Sequence, residues 1–84
     1  MAVVTIYSTK YCPYCIAAKQ LLQAKCVDYQ DIAVDNDPDL RDNIKQRSGQ
    51  RTVPQIWIGE HHVGGFTDLS KLALNDELNQ LLNA

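Results

Sequence analysis

The chain has 84 residues, 45% of them apolar and 21% charged, with a formal charge of −2; this suits one globular domain over 1–84 with a single modest core. No cluster of Lys or Arg offers a field for a nucleic-acid backbone, so nucleic acid is not an expected partner. Met1 to Tyr7 lacks the basic start and long apolar stretch of a secretion signal, and no apolar run approaches the roughly 20 residues that span a bilayer. No membrane partner is expected, and the expected location is the reducing cytoplasm.

Val3 to Tyr7 is β-branched and apolar, which predicts a strand buried on both faces. A polar turn, Ser8 to Tyr11, leads to Cys12-Pro13. Proline suits the first helical position, where its missing N–H costs nothing, so a helix is expected from Pro13. Ile16, Ala17, Leu21 and Leu22 follow at helical spacing, with Lys19, Gln20 and Gln23 toward water. The periodicity stops near Lys25-Cys26, and Val27 to Val34 reads as a weaker strand. Asp37-Pro38 has the form of a helix start, Leu40 and Ile44 stripe that helix, and Gly49 suits its left-handed end. Gln55-Ile56-Trp57-Ile58 and His61-His62-Val63 flank the turn Gly59-Glu60 and predict a hairpin, closed by Gly64-Gly65. The leucines from Leu69 to Leu82 make one terminal helix or two short ones. The order is β-α-β-α-β-β-α, an α/β sandwich whose four-stranded mixed sheet is flanked by helices.

Three cysteines, odd and few, argue against a stapling framework in a reducing compartment and point to catalysis, redox sensing or metal binding. Cys12-Pro13-Tyr14-Cys15 falls where a strand feeds a helix, and residues three apart share a helix face. The first cysteine stands beside unpaired backbone N–H groups and the positive end of the helix dipole. Both favour a thiolate, which makes Cys12 the expected nucleophile and Cys15, one turn inside, the resolving thiol. A bare C-x-x-C is also half of a zinc site. A structural zinc needs about four ligands, and the sequence has neither a second such pair nor an H-x₃₋₅-H spacing, so no metal site is expected. Two inert core cysteines are the other alternative.

With these residues in view the chain resembles a glutaredoxin of the dithiol class, in the thioredoxin superfamily. Cys12-Pro13-Tyr14-Cys15 is similar to that family's active site. Thr52-Val53-Pro54-Gln55-Ile56 resembles its T-V-P segment, where the proline is cis. Gly64-Gly65-Phe66-Thr67-Asp68-Leu69 resembles its G-G-x-x-D-L segment. The bland alternatives are an edge-strand proline at Pro54 and, at the glycine pair, a turn followed by an N-cap. The resemblance implies a thioredoxin-like fold and a glutathione-dependent thiol–disulfide oxidoreductase. It would reduce protein disulfides and protein–glutathione mixed disulfides, with glutathione as reductant and co-substrate and no bound cofactor.

The glutathione contacts it implies are Lys10, Tyr14, Arg41, Thr52, Val53, Pro54, Gly65, Phe66, Thr67 and Asp68. The γ-glutamyl end would meet Gly65 to Asp68, the cysteine the backbone of Val53, and the glycine carboxylate Arg41. Tyr14 would shield the disulfide. Departures from the family pattern are Thr9, where Lys or Arg is common, with Lys10 one residue later as a source of positive potential. Others are Phe66-Thr67, where Cys or Ser then Asp is common, and Cys26, where a helix-ending glycine is common. Implied partners are glutathionylated or disulfide-containing proteins, ribonucleotide reductase among the family's expectations, with the chain acting as a monomer. Two rival readings are a glutaredoxin-like donor reduced by thioredoxin reductase and a dimer sharing a [2Fe–2S] cluster through Cys12 and glutathione.

Overall fold

The computed structural model describes residues 3–83; Met1 and Ala2, on which the leader reading partly rests, lie outside them. The elements are β1 (Val4–Ser8), α1 (Pro13–Ala24), β2 (Tyr29–Ala33), α2 (Pro38–Ser48), β3 (Gln55–Ile58), β4 (His61–Gly64), α3 (Phe66–Leu74) and α4 (Glu77–Leu82). The four strands form one sheet in the order β2-β1-β3-β4. β1 and β2 are parallel, joined across α1, with Ile6 opposite Asp31. β3 runs antiparallel to β1, pairing Ile6 with Ile56, and β4 returns along β3. The mixed sheet expected from the element order is therefore present.

Side chains alternate across a strand, so each strand offers two faces. On one face Val4, Ile6, Ile56 and Ile58 meet Ala18 and Leu22 of α1, Leu69 of α3 and Leu78 of α4 in the main core. Fully burying an aliphatic side chain of this kind contributes about 1.5–3 kcal/mol. The other face is covered more thinly. α2 buries only Ile44, and the Arg47 guanidinium lies 4.8 Å from the ring centroid of Trp57. Tyr7 meets that indole edge-on at 5.4 Å. The expectation of burial on both faces of the first strand is corrected here: Val4, Ile6 and Ser8 are buried, while Thr5 and Tyr7 are half-buried and Val3 lies outside the strand.

The helix boundaries follow from local chemistry. Asp37 caps α2 by accepting from the Leu40 N–H at 3.1 Å, and Gly49 ends it at φ +72°. α1 ends in a double-bonded turn: Cys26 N–H donates to the Gln23 carbonyl and Val27 N–H to that of Leu22. Cys26 takes the left-handed position, φ +57°. The terminal leucines form two helices, parted at Asp76 (φ +61°), which lets Leu78 re-enter the core while Leu74 stays exposed.

Candidate active site

The site begins with a capping position. Cys12 is the N-cap of α1, in extended conformation, and Pro13 supplies the first helical residue. N-caps usually present a side-chain oxygen to the orphan N–H groups of the first turn. Here a sulfur fills that role, accepting from the Cys15 N–H at 3.2 Å. The same sulfur lies 3.6 Å from the Val53 carbonyl, to which the thiol donates. The first contact suits a thiolate and the second requires a thiol, so Cys12 Sγ is held in place in either state.

Cys15 differs in its surroundings. It is fully buried, whereas Cys12 is half-buried. Burial, and then the hydrogen bond with the Cys12 side chain, push the Cys15 thiol up to about 12. The pair thus consists of one reachable sulfur at the helix start and one protonated sulfur directly behind it. The two cysteines stand close together, as their spacing at the helix start implies.

Beside Cys12 lies a cleft of about 250 Å³. Its walls bring together Tyr14, Thr52, Val53, Pro54, Gly65, Phe66, Thr67 and Asp68. These come from the first turn of α1, the loop before β3 and the start of α3. The Val53–Pro54 peptide is cis, and Pro54 is buried. At the other wall the Asp68 carboxylate accepts from the Gly65 N–H at 3.2 Å. Gly64 makes this possible: at φ +115°, a Cβ there would overlap the Asp68 carboxylate. Tyr14 and Phe66 stand 6.4 Å apart across the rim.

Two glutamines in this region were not singled out in the sequence. Gln50 also lines the cleft. Gln55 is fully buried, and its amide nitrogen donates to Gln50 Oε1 and to the Thr52 carbonyl, each at 2.9 Å. Its oxygen lies 2.7 Å from His62 Nε2. With the amide nitrogen donating on the other side, this assigns the proton to His62 Nε2. Burial lowers the His62 pKa, which suits a neutral ring. The signal for Gln55 was present as a lone amide in the apolar run Gln55-Ile56-Trp57-Ile58, where a buried polar group must find partners.

Lys10 and Arg41 are not brought into this cleft. The Lys10 N–H donates to Asp35 Oδ2 at 2.7 Å, and its ammonium stands 5.6 Å from the Tyr11 ring centroid. Arg41 lines a separate cavity of about 320 Å³ with Pro38, Asp42, Lys45 and Arg51. Arg51 was not anticipated, although it directly precedes Thr52. Cys26 sits exposed at the far end of α1. Among the described residues, no group of three or more His, Cys, Asp or Glu could hold a metal ion, and no helix is long and apolar enough to cross a membrane.

Comparison with known proteins agrees with this geometry. The glutaredoxin family model matches residues 4–63. A glutaredoxin of Pseudomonas aeruginosa is 56% identical over 84 residues, covering 100% of both chains. The solution structure of glutaredoxin from Brucella melitensis superposes with a TM-score of 0.88 at 44% identity, covering 98% of this chain and 89% of that one. The crystal structure of a buckwheat glutaredoxin–glutathione complex superposes with a TM-score of 0.90 at 30% identity, covering 98% and 77%. With its dithiol pair on a helix start and its thioredoxin-like sheet, this chain belongs to the glutaredoxins, a family of thiol–disulfide oxidoreductases.

Proposed function

We propose that the protein is a glutathione-dependent oxidoreductase that reduces protein–glutathione mixed disulfides and protein disulfides in a reducing cytoplasm. The observation that carries this reading is the contrast within the pair. Cys12 Sγ is reachable and accepts an amide N–H at a helix start, while Cys15 is buried directly behind it.

On a glutathionylated protein, the Cys12 thiolate attacks the glutathione sulfur. A Cys12–glutathione disulfide forms, the bond to the protein breaks, and the departing thiolate takes a proton. A second glutathione attacks the glutathionyl sulfur, releases glutathione disulfide and restores Cys12; Cys15 is not required. On a protein disulfide, Cys12 attacks first and Cys15 then displaces the substrate thiol. The resulting Cys12–Cys15 disulfide is reduced by two glutathiones. The reaction moves electrons between sulfurs alone: the chain supplies the Cys12 and Cys15 thiols, and glutathione supplies the reducing electrons.

The cleft supports glutathione as co-substrate. Its lining, with the backbone around the cis Val53–Pro54 peptide on one side and Gly65, Thr67 and Asp68 at the start of α3 on the other, suits a short peptide lying against Val53. The complex formed by the similar buckwheat protein supports the same assignment. The roles of Tyr14, Thr52, Pro54, Gly65, Phe66, Thr67 and Asp68 as glutathione contacts belong to this proposal. Lys10 and Arg41 enter it as flanking positive charge.

The test is turnover of a glutathionylated peptide and of a protein disulfide, with glutathione as sole reductant. Cys15→Ser keeps the first activity and loses the second. Loss of the first activity in Cys15→Ser would overturn the assigned roles. Reduction by thioredoxin reductase and NADPH, with no response to glutathione, would overturn the choice of reductant.

A further inference from the structure

The mechanism leaves one charged cluster unused. Lys19 lies four residues after Cys15 on α1, one turn along and on the same face. Its Nζ is 2.7 Å from Asp31 Oδ2 on β2. The other oxygen, Asp31 Oδ1, accepts from the Ser8 hydroxyl at 2.6 Å, and Ser8 is buried on β1. The ammonium is thus anchored through two strands that run under the helix carrying both active thiols. Ser8, Thr9, Lys19 and Asp31 also line a cavity of about 660 Å³ open to solvent.

A half-exposed ion pair of this kind contributes little to stability, so its effect on its neighbours matters more. The resolving step asks a buried, protonated thiol to become a thiolate. Burial, the hydrogen bond with Cys12 and the Cys12 charge oppose this ionisation; a hydrogen bond with the Thr9 backbone favours it, and so, as a smaller contribution, does the positive charge of Lys19. The coupling is mutual, since a Cys15 thiolate favours the Lys19 ammonium, as do Asp31 and Tyr29 on β2.

We propose that Lys19, held by Asp31 and Ser8, is the positioning charge for the resolving thiol, stabilising the Cys15 thiolate as it attacks the mixed disulfide on Cys12. This rests on the two-thiol reading above. In the step, the Cys15 proton is released to solvent and the thiolate attacks Cys12 Sγ. The Cys12–Cys15 bond forms, the bond from Cys12 to the substrate sulfur breaks, and the departing thiolate takes up a proton.

The experiment uses the reduced full chain carrying Cys26→Ser, mixed with excess 5,5′-dithiobis(2-nitrobenzoate), whose leaving thiolate is coloured. Attack by Cys12 releases one coloured thiolate at a rate proportional to reagent. Attack by Cys15 releases the second at a rate independent of reagent. Lys19→Gln is expected to slow the second phase about tenfold, the effect of moving a thiol by one pH unit, and to move its pH dependence upward. Asp31→Asn should slow it less, and Lys19→Arg should restore it. An unchanged second phase in Lys19→Gln overturns the proposal. So does equal slowing of both phases, or failure of Lys19→Arg to restore the rate. A parent chain with no second phase overturns the two-thiol reading along with it.

Discussion

Helix α1 carries cysteine at both ends, and the two ends treat sulfur differently. At its start Cys12 replaces the oxygen of an ordinary cap and accepts the Cys15 N–H, next to the cleft lined by Tyr14, Val53 and Thr67. At its end Cys26 is exposed and held at φ +57° by a doubly hydrogen-bonded turn. There its N–H and the next one satisfy carbonyls, and among the described residues no backbone N–H donates to its thiol. Placement relative to the helix, and not the presence of a thiol, separates a reaction centre from a backbone corner.

The largest expected effect tests that contrast directly. Cys12→Ser should reduce turnover to the uncatalysed rate on both substrate types, while Cys26→Ser leaves it unchanged. Equal losses would erase the distinction between the two ends.

The next effect concerns the buried thiol between them. An unfolded Cys15 thiol ionises near 9 and the folded one near 12. Between these values the folded chain holds a proton that the unfolded chain has lost, so stability falls as pH rises through that window. Below pH 9 the contribution is fully present. Denaturant titrations across the window should show a shallower alkaline decline in Cys15→Ala than in the parent.

Two smaller effects separate the ends by stability. Cys12→Ala removes the cap acceptor and should cost about 1 kcal/mol, with Cys12→Ser close to the parent because a hydroxyl caps as well. Cys26→Gly should instead gain roughly 0.5–1 kcal/mol, because glycine relieves a left-handed backbone at a cost in chain entropy. Urea midpoints with unchanged slopes would measure both.

What was legible in the sequence was mostly local. The helix start at Pro13, the Asp37 cap, the Gly49 terminus and the hairpin around Gly59-Glu60 each depend on a few adjacent residues. The pair Cys12 and Cys15 and the two segments forming the cleft walls were legible because their spacing is short and their residue types unusual. Tertiary surroundings were not. Ile16 was expected on the helical apolar stripe but is exposed, because Cys15, Ala18 and Leu22 define the face that meets the sheet. Gln23 is exposed and Lys19 half-exposed, as helical spacing implies, but spacing does not reveal that Lys19 pairs with Asp31 and Gln23 donates to the Tyr29 hydroxyl. Both partners are on β2, and helical periodicity carries no information about the strand beneath it. Lys10 and Arg41 illustrate the same gap, since charge and chain position suggested the cleft and the fold sends each to another cavity.

The most direct measurement is peptide mapping after incubation with glutathione disulfide. The account predicts that Cys15→Ser carries one glutathionyl group on Cys12, and that the parent chain forms a Cys12–Cys15 disulfide with Cys26 left outside it. Glutathione accumulating on Cys26 in place of Cys12, or a parent chain that never joins Cys12 to Cys15, would contradict it.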